Sequence, residues 1–249
     1  MSSTTPAMAK RIRLGMLTPS SNTVLEPVTM ALLADLPEVS AHFSRFSVTE
    51  IALSDRALGQ FNLEPLLAAA QLLADAKVDV IAWNGTSAGW LGLETDRELC
   101  RQITAKTGIP ATTSVLALTE QFWARGFTRF GLVTPYLPAV QERILQNYAQ
   151  EGFDCVAEHH LSLQDNFSFA EVSPDQLRAM VRQVTVANPQ VITTFCTNLA
   201  AAPLVAELEQ ELGIPIFDTI AVVVWQSLRI AGVDPTRIQG WGRLFSEVG

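Results

Sequence analysis

The stretch LGMLTP at residues 14–19 returns as FGLVTP at residues 130–135, 116 positions further on. The order then continues. VDVIAWNGT at 78–86 aligns with PQVITTFCT at 189–197, 111 positions on, and TGIPATTSVLAL at 107–118 aligns with LGIPIFDTIAVV at 212–223, 105 positions on. Three blocks in one order, with offsets that drift only by small insertions, read as an internal duplication. Each half alternates short apolar runs, ending in Gly, Pro, Ser or Asn, with helical patterns, which is the grammar of βα units and a parallel sheet. The expected fold class is therefore α/β, with two pseudo-symmetric lobes. Each lobe is a short, flavodoxin-like parallel sheet flanked by helices, and the active site lies in the cleft between them. The expected boundaries are residues 1–115 for the N-terminal lobe, completed by about 222–249, and residues 116–221 for the C-terminal lobe.

Working outward, a first strand runs from Ile12 to Leu17, a helix from Glu64 to Ala76 and a strand from Val78 to Trp83. A further helix runs from Leu93 to Lys106, closed by Gly108 as a left-handed C-cap with Pro110 just beyond. Ligands of such sheets bind beyond the carboxyl ends of the strands. The loops Thr18 to Asn22, Asn84 to Ser87, Thr134 to Tyr136 and Cys196 to Asn198 are thus expected to face one cleft from opposite sides.

Composition removes several function classes. The 249 residues are 48% hydrophobic and carry 17 Lys+Arg against 25 Asp+Glu, a net charge of −8 with no basic cluster, which argues against nucleic acid as a partner. The longest apolar runs, such as Ile220 to Trp225, fall far short of the roughly 20 residues that cross a bilayer. The segment from Met1 to Arg13 is Ser/Thr-rich, then basic, and reads as a frayed tail rather than a signal peptide. Three cysteines, Cys100, Cys155 and Cys196, form no CxxC pair and fit a reducing, cytoplasmic setting. No Walker A loop, no GxGxxG after a strand and no HExxH occurs. The adjacent His159 and His160 would point to opposite faces of a strand, so no metal is expected. Trp123, Trp225 and the Glu207 to Glu211 helix face read as core and solvated surface.

In the duplicate alignment Cys196 falls on Gly85. Two acid/base groups facing each other across a ligand can take a proton from one face and return it to the other, and this chain carries one cysteine where such symmetry has two. A thiol in a strand-to-helix loop lies near amides that favour the thiolate, which makes Cys196 a general acid/base or a nucleophile. Cys100, on a helical pattern, reads as packing. The segment Asn84-Gly85-Thr86-Ser87 offers hydroxyls and backbone N–H groups suited to a carboxylate or a developing enediolate, or else an ordinary N-cap. Thr197 and Asn198 place polar groups beside the thiol. Asn22 and Tyr136, at equivalent strand ends, either donate to a second carboxylate or fix their own turns.

These motifs, with TPSSN at the start, TPY in the middle and GWGRLF near the end, resemble the aspartate/glutamate racemase superfamily from about Arg11 to Phe245. Its maleate cis-trans isomerase and arylmalonate decarboxylase branches are the most similar. The isomerase resemblance, carried by TPSSNTVLEP and CTNL, implies that Asn22 binds a substrate carboxylate and that a first cysteine should stand where this chain has Gly85. Asn166 fits an asparagine of that branch. The decarboxylase resemblance, carried by GTSAGW and GWGRLF, implies glycine at the first position and a single cysteine at the second.

That branch implies a reaction without a cofactor on a small-molecule carboxylate. One carboxylate leaves as CO₂, the other is cradled by Thr86, Ser87 and Tyr136, and Cys196 protonates the carbanion on one face. Thr197, in place of the glycine expected after the cysteine, and polar Ser20-Ser21-Asn22 depart from that pattern and suggest a small polar acid. The alternatives are a maleate or racemase-type isomerase and a catalytically inactive carboxylate-binding protein. A homo-oligomer is compatible with all three.

Overall fold

The computed structural model describes residues 11–246, so most of the expected frayed start lies outside the described residues. The first half runs β1 (Ile12–Pro19), α1 (Leu25–Leu32), β2 (Val39–Phe46), α2 (Asp55–Gly59), α3 (Leu63–Asp75), β3 (Val80–Trp83), α4 (Ala88–Leu91), α5 (Leu93–Thr107), β4 (Ala111–Thr113) and α6 (Ser114–Ala124). The second half runs β5 (Arg129–Thr134), α7 (Pro138–Gln150), β6 (Asp154–His160), α8 (Pro174–Val184), β7 (Val191–Thr194), α9 (Val205–Leu212), β8 (Ile216–Asp218), α10 (Thr219–Ile230) and α11 (Arg243–Ser246). Two four-stranded sheets result, with orders β2-β1-β3-β4 and β6-β5-β7-β8, every pair parallel. The two orders are the same topology written twice.

The repeated sequence blocks do the same physical work in both halves. Gly15 and Gly131 lie where helices press on the sheets. A Cβ on Gly15 would sit 2.9 Å from Val78 Cγ2, and one on Gly131 3.2 Å from both Ile192 Cγ1 and Val184 Cγ2. Gly108 and Gly213 close α5 and α9 at φ of 72° each, the left-handed cap that spares a side chain no strain. Thr113 caps α6 through Leu116 N–H at 3.1 Å, and Asp218 caps α10 through Ile220 N–H at 2.8 Å. The central strands β3 and β7 are buried throughout, as expected of parallel strands covered on both faces.

The lobes interlock at their last helices. Helix α10 packs on α6 and reaches back to α1, β3 and β4. Phe122 of α6 meets Phe130, Phe153 and Phe217 of the second half. Over the strand ends, the segments after β2 and β6 pair across the cleft: Glu50 and Asp165 form an antiparallel bridge, Ile51 N–H donates to Gln164 O and Asn166 N–H to Thr49 O, both at 2.9 Å.

Three expectations are corrected. Trp123 is 53% exposed rather than core, lying against Phe153 with ring centroids 5.8 Å apart. Glu209, on the helix face read as solvated, is buried because its carboxylate accepts Ile216 N–H at 2.8 Å and Arg243 N–H at 2.7 Å, which ties the GWGRLF segment to α9 and β8. Cys100 is half-buried. Burial and nearby Asp96 and Glu120 push its thiol up to about 12, so it stays protonated.

Asp96 of α5 is a buried carboxyl whose Oδ2 has no hydrogen-bond partner, and burial pushes its pKa up to about 7 against a donor in Thr113. The native state then holds a proton that the unfolded state gives up near pH 4. The associated stability is complete at low pH and is lost as pH rises through 7. Asp96→Asn is expected to match the parent at pH 4 and to exceed it by about 1–2 kcal/mol at pH 8. The corresponding rise in Tm is about 3–6 °C, read by calorimetry across pH.

Candidate active site

All four strand-end loops meet at one small, tight cavity. Its wall brings together Gly85, Thr86, Ser87, Tyr136, Asn166, Cys196 and Thr197. Pro19, Val48, Ile51, Phe61, Trp83 and Trp90 supply an apolar remainder. None of the lining residues is a lysine, arginine, histidine or acid.

Cys196 follows β7 and Phe195, whose N–H is fixed to Val133 O at 2.8 Å. Its sulfur accepts Asn198 N–H at 3.4 Å and lies close to the Tyr136 hydroxyl, which lowers its pKa. The amides expected to favour the thiolate are therefore present, yet burial outweighs them and pushes the thiol up to about 12. The ionised form has lost its water and gains only weak donors, from Tyr136 and the Asn198 and Leu199 amides, and buried Asp218 adds a like charge when ionised. At neutral pH Cys196 is therefore a thiol, the amides notwithstanding.

Opposite it, β3 ends at Trp83 and the chain turns through Asn84-Gly85-Thr86-Ser87 into the single turn of α4. Asn84 Nδ2 holds that turn by donating to Ala82 O at 2.9 Å and Leu17 O at 3.2 Å. Neither hydroxyl is spent as a helix cap, since α4 has no side-chain cap bond. Thr86 Oγ1 is instead hydrogen-bonded to the Tyr136 hydroxyl at 2.6 Å. Burial and Cys196 hold that phenol well above its usual range, so it remains a donor. The Tyr136–Thr86 bond thus joins the second lobe to the first beside Cys196.

The asparagines divide. Asn166 lines the cavity and donates to Ser21 Oγ at 2.8 Å. Asn22 and Asn198 are buried but do not line it. Asn22 Oδ1 accepts Val24 and Leu25 N–H groups at 3.0 and 2.9 Å, so it fixes its own turn. Its Nδ2 crosses to Thr197 O at 3.0 Å, and Asn198 Oδ1 returns the contact by accepting Thr23 N–H at 3.0 Å. Thr197 Oγ1 donates to Asn84 O at 2.9 Å. These bonds fasten the two halves of the site.

Sequence reasoning missed the two tryptophans. Trp90 packs edge-on against Tyr136, centroids 5.3 Å apart, and its buried Nε1 has no hydrogen-bond partner. Trp83 reads as an ordinary strand residue until its indole is seen beside Gly85. Among the described residues no group of three or more His, Cys, Asp or Glu is placed to hold a metal ion, and no helix is long and apolar enough to cross a membrane.

Two duplicated α/β lobes sharing one uncharged cavity, with a single protonated cysteine against a hydroxyl cradle, define a class of cleft built for acid–base chemistry on a carboxylate. A sequence model of the family described as arylmalonate decarboxylase matches residues 21–245, and the chain belongs to that family. It is 27% identical to a maleate isomerase of Pseudomonas putida over 96% of this chain and 99% of that protein. It is 25% identical to an arylmalonate decarboxylase of Bordetella bronchiseptica over 94% of this chain and 96% of that one. Among solved structures, a cysteine-to-serine mutant of Nocardia farcinica maleate cis-trans isomerase, with a covalently bound succinylcysteine intermediate, superposes with a TM-score of 0.86. The identity is 26%, over 96% of this chain and 99% of that one.

Proposed function

We propose that the chain is a cofactor-independent decarboxylase of small substituted malonates, working in the cytoplasm with Cys196 as its proton donor. The observation that carries this reading is the protonated Cys196 thiol set against a glycine. A thiol held neutral by burial is an acid and a poor nucleophile, and across the cavity no second sulfur stands at position 85.

The chemistry follows from the lining. Thr86, Ser87 and Tyr136 give neutral donors to one carboxylate of the substrate, where the negative charge of an enediolate develops. The second carboxylate faces apolar walls that offer it no cation, and its loss as CO₂ removes a charge from that environment. The electron pair of the breaking C–C bond is delocalised into the retained carboxylate. Cys196 Sγ–H then transfers its proton to the α-carbon, and the thiolate left behind is reprotonated from solvent. With one acid on one face, the product is a single enantiomer.

The maleate isomerases among the relatives and the polar Ser20-Ser21-Asn22 loop favour a second reading, isomerisation of a cis-unsaturated diacid. That route, in the form suggested by the succinylcysteine intermediate, adds a thiolate to the double bond. The buried, protonated Cys196 is poorly suited to it, and Asn22 is engaged in holding the lobes together. Assays of CO₂ release from disubstituted malonates, run beside conversion of maleate to fumarate, separate the two readings. CO₂ release without fumarate is the expected result.

A further inference from the structure

The place opposite Cys196 is filled. A Cβ on Gly85 would overlap Cζ2 and Cε2 of the Trp83 indole and lie 2.6 Å from Cη2, closer than non-bonded carbons approach. The backbone does not demand glycine, because Gly85 is not among the positive-φ residues. The three nearest atoms all belong to that one indole, which stands in the way of any side chain there. Trp83 has little room to yield: it is 1% exposed, at the carboxyl end of β3, with its ring tilted onto Phe46 at a centroid distance of 5.0 Å.

Trp83 also has a second neighbour. Together with Phe61 and Ser87 it lines both the Cys196 cavity and a larger adjoining groove between α3 and α5, walled mostly by apolar surface from Leu63, Leu66 and Leu91, with Glu94, Asp96 and Glu98 also in its lining. The indole thus stands between a small reaction chamber and a larger apolar space.

We propose that Trp83 is a specificity-determining residue. Its indole takes the volume that a second catalytic side chain at position 85 would need, and it partitions the chamber from the groove so that only small α-substituents fit. This rests on the reading of the Cys196 cavity as the decarboxylation site. A bulky aromatic at the end of β3 and a glycine two residues later are, in this account, one device: each requires the other. Trimming the indole frees position 85 and joins the groove to the chamber, giving apolar α-substituents somewhere to go.

The test is a cycle of Gly85→Ala in three backgrounds, Trp83, Trp83→Phe and Trp83→Val, followed by thermal unfolding of the whole chain. The Phe background removes Cζ2 and Cη2 while keeping an aromatic ring against Phe46, so the cycle is readable even where Val loosens the core. Gly85→Ala is expected to lower Tm by about 5 °C beside Trp83, by a smaller amount beside Phe, which keeps a ring carbon near the place of Cε2, and by less than about 1 °C beside Val. Equal losses in all backgrounds would overturn the proposal.

In parallel, the kcat/KM ratio for methylphenylmalonate over ethylmethylmalonate is expected to rise about 10-fold in Trp83→Val relative to the parent, and an unchanged ratio would overturn the partition. Absence of any malonate turnover in the parent, with the stability coupling intact, supports the steric half and overturns the reaction reading instead.

Discussion

Replacing Cys196 with alanine is expected to lower kcat for malonate decarboxylation by about 1000-fold, within the range that a positioned general acid supplies. Folding and substrate binding should survive, because Cys196 holds no structural hydrogen bond stronger than the 3.4 Å contact from Asn198 N–H. A dicarboxylate should therefore still raise the Tm of the variant. The pH profile of the parent separates acid from nucleophile. A thiol pushed up to about 12 donates its proton undiminished from pH 6 to pH 9, so an acid role gives no fall in kcat over that interval from Cys196. A nucleophilic role would make the rate climb steadily with pH as the thiolate fraction grows. Full activity in Cys196→Ala would remove the thiol from the mechanism.

Tyr136→Phe is expected to cost about 100-fold in kcat, the usual penalty for losing one donor aimed at developing charge. The hydroxyl is bonded to Thr86 Oγ1 at 2.6 Å and lies beside Cys196, so its removal strips the cradle next to the acid. The effect should fall on kcat and kcat/KM together, as for an interaction made in the transition state, with KM little changed. A raised KM at unchanged kcat would assign Tyr136 to uniform substrate binding. Removal of the buried phenol oxygen leaves Thr86 Oγ1 without its partner. A modest drop in Tm is expected to accompany the kinetic loss.

The duplication was legible because its repeated residues meet identical physical demands in both lobes. Gly15 and Gly131 allow helices onto the sheet, Gly108 and Gly213 terminate helices, and Thr113 and Asp218 start them. Strand-end loops follow from that topology, and with them the meeting of Thr86, Tyr136, Asn166 and Cys196.

Four features were illegible because they depend on surroundings rather than on spacing. The protonation state of Cys196 is decided by desolvation, which overrides the amides that position alone suggests. Asn22 looks like a carboxylate ligand in TPSSN, but its donors and acceptors are consumed by Thr197 and its own turn. The burial of Glu209 needs two backbone N–H groups, one from Ile216 at the start of β8 and one from Arg243, 34 residues further along the chain. Trp83 and Trp90 are apolar in any pattern analysis, so only the packed site shows that one excludes a side chain at 85 and that the other carries an unpartnered Nε1.

The central claim is that a single acid, Cys196, protonates one face of an enediolate formed by loss of CO₂. The most direct measurement is turnover of a disubstituted malonate in D₂O, followed by NMR and chiral separation of the product acid. The account predicts release of CO₂ and one deuteron per molecule at the α-carbon, in one enantiomer. A racemic deuterated acid, or fumarate from maleate with no CO₂ released from any malonate, would contradict it.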